Sequence, residues 1–317
     1  MKLVLVPPQV DATRDWPERL MADVPGWEVV RPPCEAMRAE LQTADAAYGV
    51  LTPDLLTESL KWLQAPQAAP PPGYFFPELV DHPVVVTNMR DTYTDHVAAH
   101  TLALVLAMCR GLPLYFRDQR DECWAPDWDP ASVVTLPEAT ALIVGAGAVG
   151  AEVGRLLSEF GTTVIGVDAR TAGPLPGFAR VEPAEALDAL LPTADLVILT
   201  VPHTPATEGF FDAKRFALLR PSAYFVNVGR GPTVQLDALM DALEADRLAG
   251  AALDVFETEP LPPGHPLWRR PDVLITPHVA GVGPHADERR YAVLRDNARR
   301  FASGLDLVNL VDKAAWF

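Results

Sequence analysis

The sequence predicts an α/β protein built from two doubly wound parallel-sheet domains, on three observations. At 317 residues it exceeds the roughly 100–200 residues of one ordinary domain. Short apolar runs alternate with helix-periodic segments along nearly the whole chain, the rhythm of strand–helix–strand crossovers. And a glycine-rich turn, Gly145-Ala146-Gly147-Ala148-Val149-Gly150, stands between an apolar run and a helical segment.

In the first part, residues 3–6, 27–30, 46–51 and 83–87 read as buried strands with polar helical segments among them. A Pro-rich stretch, 66–77, precedes the last of these strands. Residues 95–110 are helical and apolar on several faces, which suits a long buried helix between two domains. A segment bearing proline and tryptophan, 112–137, leads into the second series. There residues 141–144, 163–167, 195–200, 223–227, 251–254 and 273–276 read as strands, with helices such as 151–160 and 236–245 between them. Residues 287–303 form a charged amphipathic helix.

The composition excludes several classes of function. It is 49% hydrophobic and 21% charged, so the chain can bury real cores. Lys and Arg number 26 against 42 Asp and Glu, a net charge of −16. Such a surface repels nucleic-acid backbones and anionic membranes. Cys34, Cys109 and Cys123 form no paired framework and no metal-binding spacing, which fits a reducing cytoplasm. The N-terminal apolar run stops at Pro7 and Pro8 and reads as a first strand, and no run is long enough to span a bilayer. A soluble protein is expected.

Gly145 permits the tight turn after a strand, Gly147 lets backbone approach a pyrophosphate, and Gly150 allows a helix to pack closely on the strand. Asp168 lies 18 residues beyond Gly150, at the end of the next strand, where its carboxylate can accept hydrogen bonds from a ribose. The loop therefore reads as a dinucleotide site. The charge of Asp168 repels a 2′-phosphate and favours NAD; Arg170 could instead accommodate that phosphate, or be a solvated surface charge. Three further strand ends carry Asn227-Val228-Gly229-Arg230-Gly231, the run Asp254 to Pro260 that includes Glu259, and Thr276-Pro277-His278. Singly, Arg230 could be a surface ion pair, Glu259 a helix start and His278 a capped loop residue. Together they place a guanidinium, a carboxylate and an imidazole on the sheet edge that carries the glycine loop. Hydride transfer to a 2-keto acid needs these types: a planar Arg fork to orient the substrate, a histidine to supply a proton, and a carboxylate to hold the ring.

These motifs, with Thr200-Val201-Pro202-His203-Thr204-Pro205, resemble those of the D-isomer-specific 2-hydroxyacid dehydrogenase family in type and order over nearly the whole chain. The resemblance implies catalytic roles for Arg230, Glu259 and His278. It implies cofactor contacts at Ala148 and Val149, Asp168, Val201 and Pro202, Thr207, Val228 with Gly229, and at Asp254 for the carboxamide. It further implies a Rossmann NAD-binding domain, residues 95–286, inserted in a smaller flavodoxin-like substrate domain, residues 1–94 and 287–317. The C-terminal helix would pack back on the N-terminal part, and the protein would be a homodimer acting on a small 2-keto or 2-hydroxy acid.

The departures bear on the substrate. Where relatives carry a Gly-rich loop whose amides bind the substrate carboxylate, this chain has Pro70, Pro71 and Pro72, which lack N–H groups. Either Gln67 to Ala69 supply the amides or the carboxylate is bound differently. Tyr74, Phe75 and Phe76 could line a pocket or be packed in the core. Arg90 and Asp91 replace small residues, and Arg90 could meet a second anionic group or form an ion pair. Ala99 replaces a frequent Glu before His100, and Gln235 a frequent Asp. Phosphoglycerate dehydrogenase activity and a corepressor-like NAD sensor are the alternatives. Formate dehydrogenase is disfavoured, because a glutamine there replaces the acid that Glu259 supplies. Residues 112–128, with Trp124 and Trp128, could be a contact arm or pack within the chain.

Overall fold

The computed structural model describes residues 1–6, 11–70, 73–127, 133–170 and 173–317; Pro7, Pro8, Pro71, Pro72 and Trp128 lie outside them. The chain divides into two compact units, Met1–Thr92 with Gly283–Phe317, and Tyr93–Val282.

The first unit opens with β1 (Lys2–Leu5), α1 (Trp16–Asp23), β2 (Glu28–Val30), α2 (Met37–Leu41), β3 (Ala46–Tyr48), β4 (Trp62–Gln64), α3 (Pro77–Asp81) and β5 (Val85–Thr87). Its five strands are all parallel, in the order β2-β1-β3-β4-β5, the flavodoxin-like winding. Strand β4 is absent from the sequence reading: its apolar signal is only Trp62-Leu63, set between Lys61 and Gln64. Tyr74 and Phe75 are buried in this unit's core. The Tyr74 hydroxyl donates to the Gly49 carbonyl at 3.2 Å, and Phe75 stacks on Trp316. Packing, rather than a pocket wall, is what these two rings provide.

The second unit runs through α4 (Thr94–Cys109), α5 (Leu112–Arg120), β6 (Thr140–Val144), α6 (Ala148–Glu159), β7 (Thr163–Asp168), β8 (Arg180–Pro183), α7 (Leu187–Leu190), β9 (Leu196–Leu199), α8 (Ala213–Phe216), β10 (Tyr224–Asn227), α9 (Leu236–Glu244), β11 (Gly250–Leu253) and β12 (Val273–Ile275). The seven parallel strands lie in the order β12-β11-β10-β9-β6-β7-β8, with the switch point between β6 and β9. Both faces are covered. Ala141 and Ile143 of β6 join a core with Val153 and Leu157 of α6 and with α4, whereas Leu142 and Val144 join the core under α8 and α9. Unbroken apolar strands are what a sheet buried on both faces requires. Edge strand β8, Arg-Val-Glu-Pro, carries no such signal and escapes the sequence reading.

The chain ends with α10 (Ala286–Ala302), which belongs to the first unit. The Trp27 indole donates to the Ala298 carbonyl at 3.1 Å, and Phe301 stacks on Trp62. Asn297, wholly buried, gives an amide hydrogen to Gln64 Oε1 at 3.0 Å. No single helix among the described residues is long and apolar enough to cross a membrane; α4 and α5 pass that test only as a pair bent by 75°.

Candidate active site

The site grows from the C-terminal ends of the parallel strands in the second unit. After β6 the chain turns at Gly145 (φ +102°), whose N–H donates to the Val167 carbonyl at 2.8 Å. The Thr200 hydroxyl donates to the Gly145 carbonyl at 2.6 Å, tying this turn to the end of β9. Gly147 is the N-cap of α6 in extended backbone, and a Cβ there would meet nothing within 4 Å. A Cβ on Gly150 would lie 2.0 Å from the Gly145 carbonyl oxygen. The first turn of α6, with Ala148 and Val149, thus presents its amides beside an open space that a side chain would otherwise fill, the arrangement that binds an anionic phosphate.

Asp168 ends β7 and accepts from the Arg170 N–H at 2.8 Å. Beyond β9, Thr207 closes the loop holding Val201 and Pro202: its hydroxyl donates to the Pro202 carbonyl at 2.7 Å and accepts from the Thr204 N–H at 2.8 Å.

Beyond β10, Asn227 Oδ1 accepts from the Gly229 N–H at 3.0 Å and so shapes the Val228–Gly229 turn. The Arg230 carbonyl accepts from the Thr233 hydroxyl at 2.6 Å, and Arg230 Nη1 donates to the Gly229 carbonyl at 2.6 Å. Burial lowers the Arg230 pKa, while Glu259 and Asp254 act to raise it. A group whose ordinary value is above 12 remains a cation. Gly231 is required by close approach, since a Cβ would fall 1.8 Å from the Phe256 carbonyl oxygen. This contact brings the Arg230 loop against the loop that bears Glu259.

Glu259 uses both oxygens. Oε1 accepts from the Phe256 N–H at 2.9 Å, and Oε2 lies 2.6 Å from His278 Nδ1. The carboxylate accepts, so Nδ1 carries a hydrogen and Nε2 is left as the ring's second site for a proton. Both side chains are partly open, at 34% and 47% exposure. His278 has φ +54°, a left-handed conformation of which histidine is more tolerant than most residues.

Asp254, 1% exposed, holds this loop. Its Oδ1 accepts from the Thr276 hydroxyl at 2.6 Å and the Val279 N–H at 2.9 Å, its Oδ2 from the Ala280 N–H at 3.0 Å, and its carbonyl from the His278 N–H at 2.8 Å. The sequence marks Asp254 through resemblance alone, and assigns no role to Thr276 or His100, although both fall within its motifs. Gln235 offers α9 no side-chain cap; Glu257 instead accepts from the Leu236 N–H at 3.0 Å, supplying the acid that an Asp at 235 would have given. Among the described residues no group of three or more His, Cys, Asp or Glu could hold a metal.

The first unit, taken by itself, shows a second set of expected residues. After β4 the carbonyls of Gln67 and Ala68 accept from the Met89 N–H at 3.1 Å and Asn88 Nδ2 at 2.8 Å. The Arg90 N–H donates to Asn88 Oδ1 at 3.1 Å, and Arg90 is half-buried. In the second unit's segment 112–127, Trp124 is 95% exposed, so its ring is not packed within the chain.

Residues 102–280 match the family described as D-isomer specific 2-hydroxyacid dehydrogenase, NAD binding domain. Over 216 residues the chain is 34% identical to a glyoxylate reductase of Thermofilum pendens, an alignment covering 67% of this chain and 63% of that relative. Two crystal structures resemble it over its full length. A D-isomer specific 2-hydroxyacid dehydrogenase of Xanthobacter autotrophicus, in complex with NADPH and MES, superposes with a TM-score of 0.84 at 30% identity, covering 100% of this chain and 99% of that one. The NADPH-dependent glyoxylate/hydroxypyruvate reductase of Sinorhizobium meliloti, in complex with NADP and sulfate, gives 0.82 at 28% identity with the same coverage.

Proposed function

The chain belongs to the D-isomer specific 2-hydroxyacid dehydrogenase family, and on that premise we propose that it is an NAD-dependent oxidoreductase of a small 2-keto or 2-hydroxy acid of the glyoxylate or hydroxypyruvate kind. The observation that carries the reading is the 2.6 Å contact between His278 Nδ1 and Glu259, on the strand edge that also delivers Arg230. Glu259 fixes the orientation of the ring and its Nδ1–H tautomer. In reduction, His278 Nε2 gives its proton to the carbonyl oxygen at C2; in oxidation it takes the hydroxyl proton back. Arg230 orients the substrate through its guanidinium.

The open space over Gly147 and the N-terminus of α6 fit a dinucleotide pyrophosphate. Gly145, Gly147, Ala148, Val149 and Gly150 would hold it, with Val201, Pro202, Thr207, Val228, Gly229 and Asp254 along the same edge. The bound nicotinamide would supply or accept the hydride. NAD is the proposed form, because the Asp168 carboxylate stands at the end of β7 where a 2′-phosphate would meet its charge. Arg170 supports NADP as the second reading, and the two related structures were solved with that nucleotide. A homodimer that uses the exposed Trp124 segment, working in the cytoplasm, completes the proposal.

The test is loss of absorbance at 340 nm with NADH or NADPH against glyoxylate, hydroxypyruvate, pyruvate, phenylpyruvate and 2-ketoglutarate. Turnover with the small acids, faster with NADH, is expected. No turnover across the panel despite demonstrated NADH binding would favour a nucleotide-sensing role.

A further inference from the structure

A hydroxyl has one hydrogen to give. Thr276 Oγ1 lies 2.6 Å from a carboxylate oxygen of Asp254, which can only accept, so its hydrogen points there. The second contact of Oγ1, to His100 Nε2 at 3.0 Å, must then run the other way, with His100 Nε2–H donating. This assigns the tautomer of His100 and gives a directed chain from α4 through Thr276 into Asp254. His100 Nε2 is also 3.6 Å from Asp254 Oδ1. At the far end, Asp254 grips the N–H groups of His278, Val279 and Ala280. His278 sits in left-handed backbone, a sparsely populated state that persists only where its surroundings over-determine it.

We infer that Thr276, with His100 behind it, is a positioning residue for the reaction: the His100–Thr276–Asp254 chain sets the loop so that the His278 imidazole meets Glu259. The inference rests on the proposed role of His278 but is tested separately from it. Thr276 bonds to His100 and to Asp254, whereas the His278 ring bonds to Glu259. Thr276 and His100 act on proton transfer through backbone placement, and a displacement of about 1 Å at a reacting group costs on the order of 100-fold in rate.

The test compares Thr276→Val, which keeps the shape and removes the hydroxyl, with Thr276→Ser, which restores it. The companion pair is His100→Phe and His100→Gln, the glutamine retaining an N–H donor. Expected is a fall in kcat of about 10–100-fold for Thr276→Val and His100→Phe, little change in the KM for the keto acid, and recovery in Thr276→Ser and His100→Gln. The second readout needs no turnover: the low-field proton resonance of the short His278–Glu259 hydrogen bond, identified by its absence in His278→Ala. It should persist in wild type and Thr276→Ser and vanish or broaden in Thr276→Val. A Thr276→Val protein with wild-type kcat and an unchanged resonance would overturn the inference, as would a Ser variant as impaired as the Val variant. If Thr276→Val does not fold, the His100 pair decides by the same criteria. An active His278→Ala enzyme would instead defeat the proposed function and leave the resonance test standing.

Discussion

Alanine at Gly150 and alanine at Gly147 should produce opposite defects although the residues are three apart. At Gly150 the new Cβ would sit 2.0 Å from the Gly145 carbonyl oxygen and 2.8 Å from Thr200 Oγ1. Ordinary contact begins at 3.4 Å, so α6 and the turn after β6 must separate by over about 1 Å, which strains the backbone. Forced overpacking of this kind costs about 1–3 kcal/mol. For a unit of this size, each kcal/mol lowers Tm by about 2–4 °C, which gives a fall of about 2–12 °C. At Gly147 nothing lies within 4 Å; the price is the weaker N-cap preference of alanine, at most about 1 kcal/mol. There the methyl enters the space proposed for the pyrophosphate, and NADH affinity should fall about 10–100-fold, equivalent to about 1.4–2.7 kcal/mol. Thermal melts by circular dichroism and titration of NADH fluorescence measure the two effects. A Gly150→Ala protein melting with wild type would refute the packing argument. A Gly147→Ala protein binding NADH as tightly as wild type would refute the placement of the pyrophosphate.

Four more outcomes are expected. His278→Ala should lose about 10²–10⁴ in turnover while retaining NADH binding; wild-type turnover would remove His278 from the acid role. Asp168→Ala should weaken NADH and raise the kcat/KM ratio for NADPH over NADH, and an unchanged ratio would transfer the choice to Arg170. Cys109 is buried, and burial pushes its thiol up to about 12, while Cys34 is exposed; a disulfide reagent at pH 8 should therefore titrate Cys34 but leave Cys109 unreacted in the native protein, and titrate all three thiols after denaturation. Burial, then the hydrogen bond to Asp23, pushes the Tyr291 phenol up to about 12 from the usual 10. The folded state holds that proton more tightly, so its contribution is complete below pH 10 and is lost as the pH climbs from 10 towards 12. Urea midpoints across that range should fall more steeply for wild type than for Tyr291→Phe, and parallel curves would dismiss the Tyr291–Asp23 bond as a source of stability.

The glycine-rich turn and the three residues proposed as catalytic were legible because each lies in the stretch that follows an apolar strand, and strand ends in parallel sheets share an edge. The sheets were legible where apolar runs were long, and faded at β4, which is wholly buried but only three residues long and ends in Gln64, and at polar edge strand β8. The arrangement around Asp254 could not be read. It depends on a left-handed φ at His278 and on a histidine 176 positions from Thr276, and neither leaves a periodic trace. The same holds for Glu257: nothing in its spacing says that its carboxylate caps α9.

The return of the chain into the first unit has a consequence for biosynthesis. Gln64 Oε1, buried in the five-stranded unit, takes its amide hydrogen from Asn297, and the rings of Trp27 and Trp62 are covered by α10. A ribosome adding about 5–20 residues per second makes the roughly 190 residues of the inserted unit before α10 emerges, a delay of about 10–40 s. During that interval the nascent sheet presents an uncovered aromatic face, while the continuous second unit has all its strands and can close first. Birth order thus favours the second unit, and the first unit waits for α10.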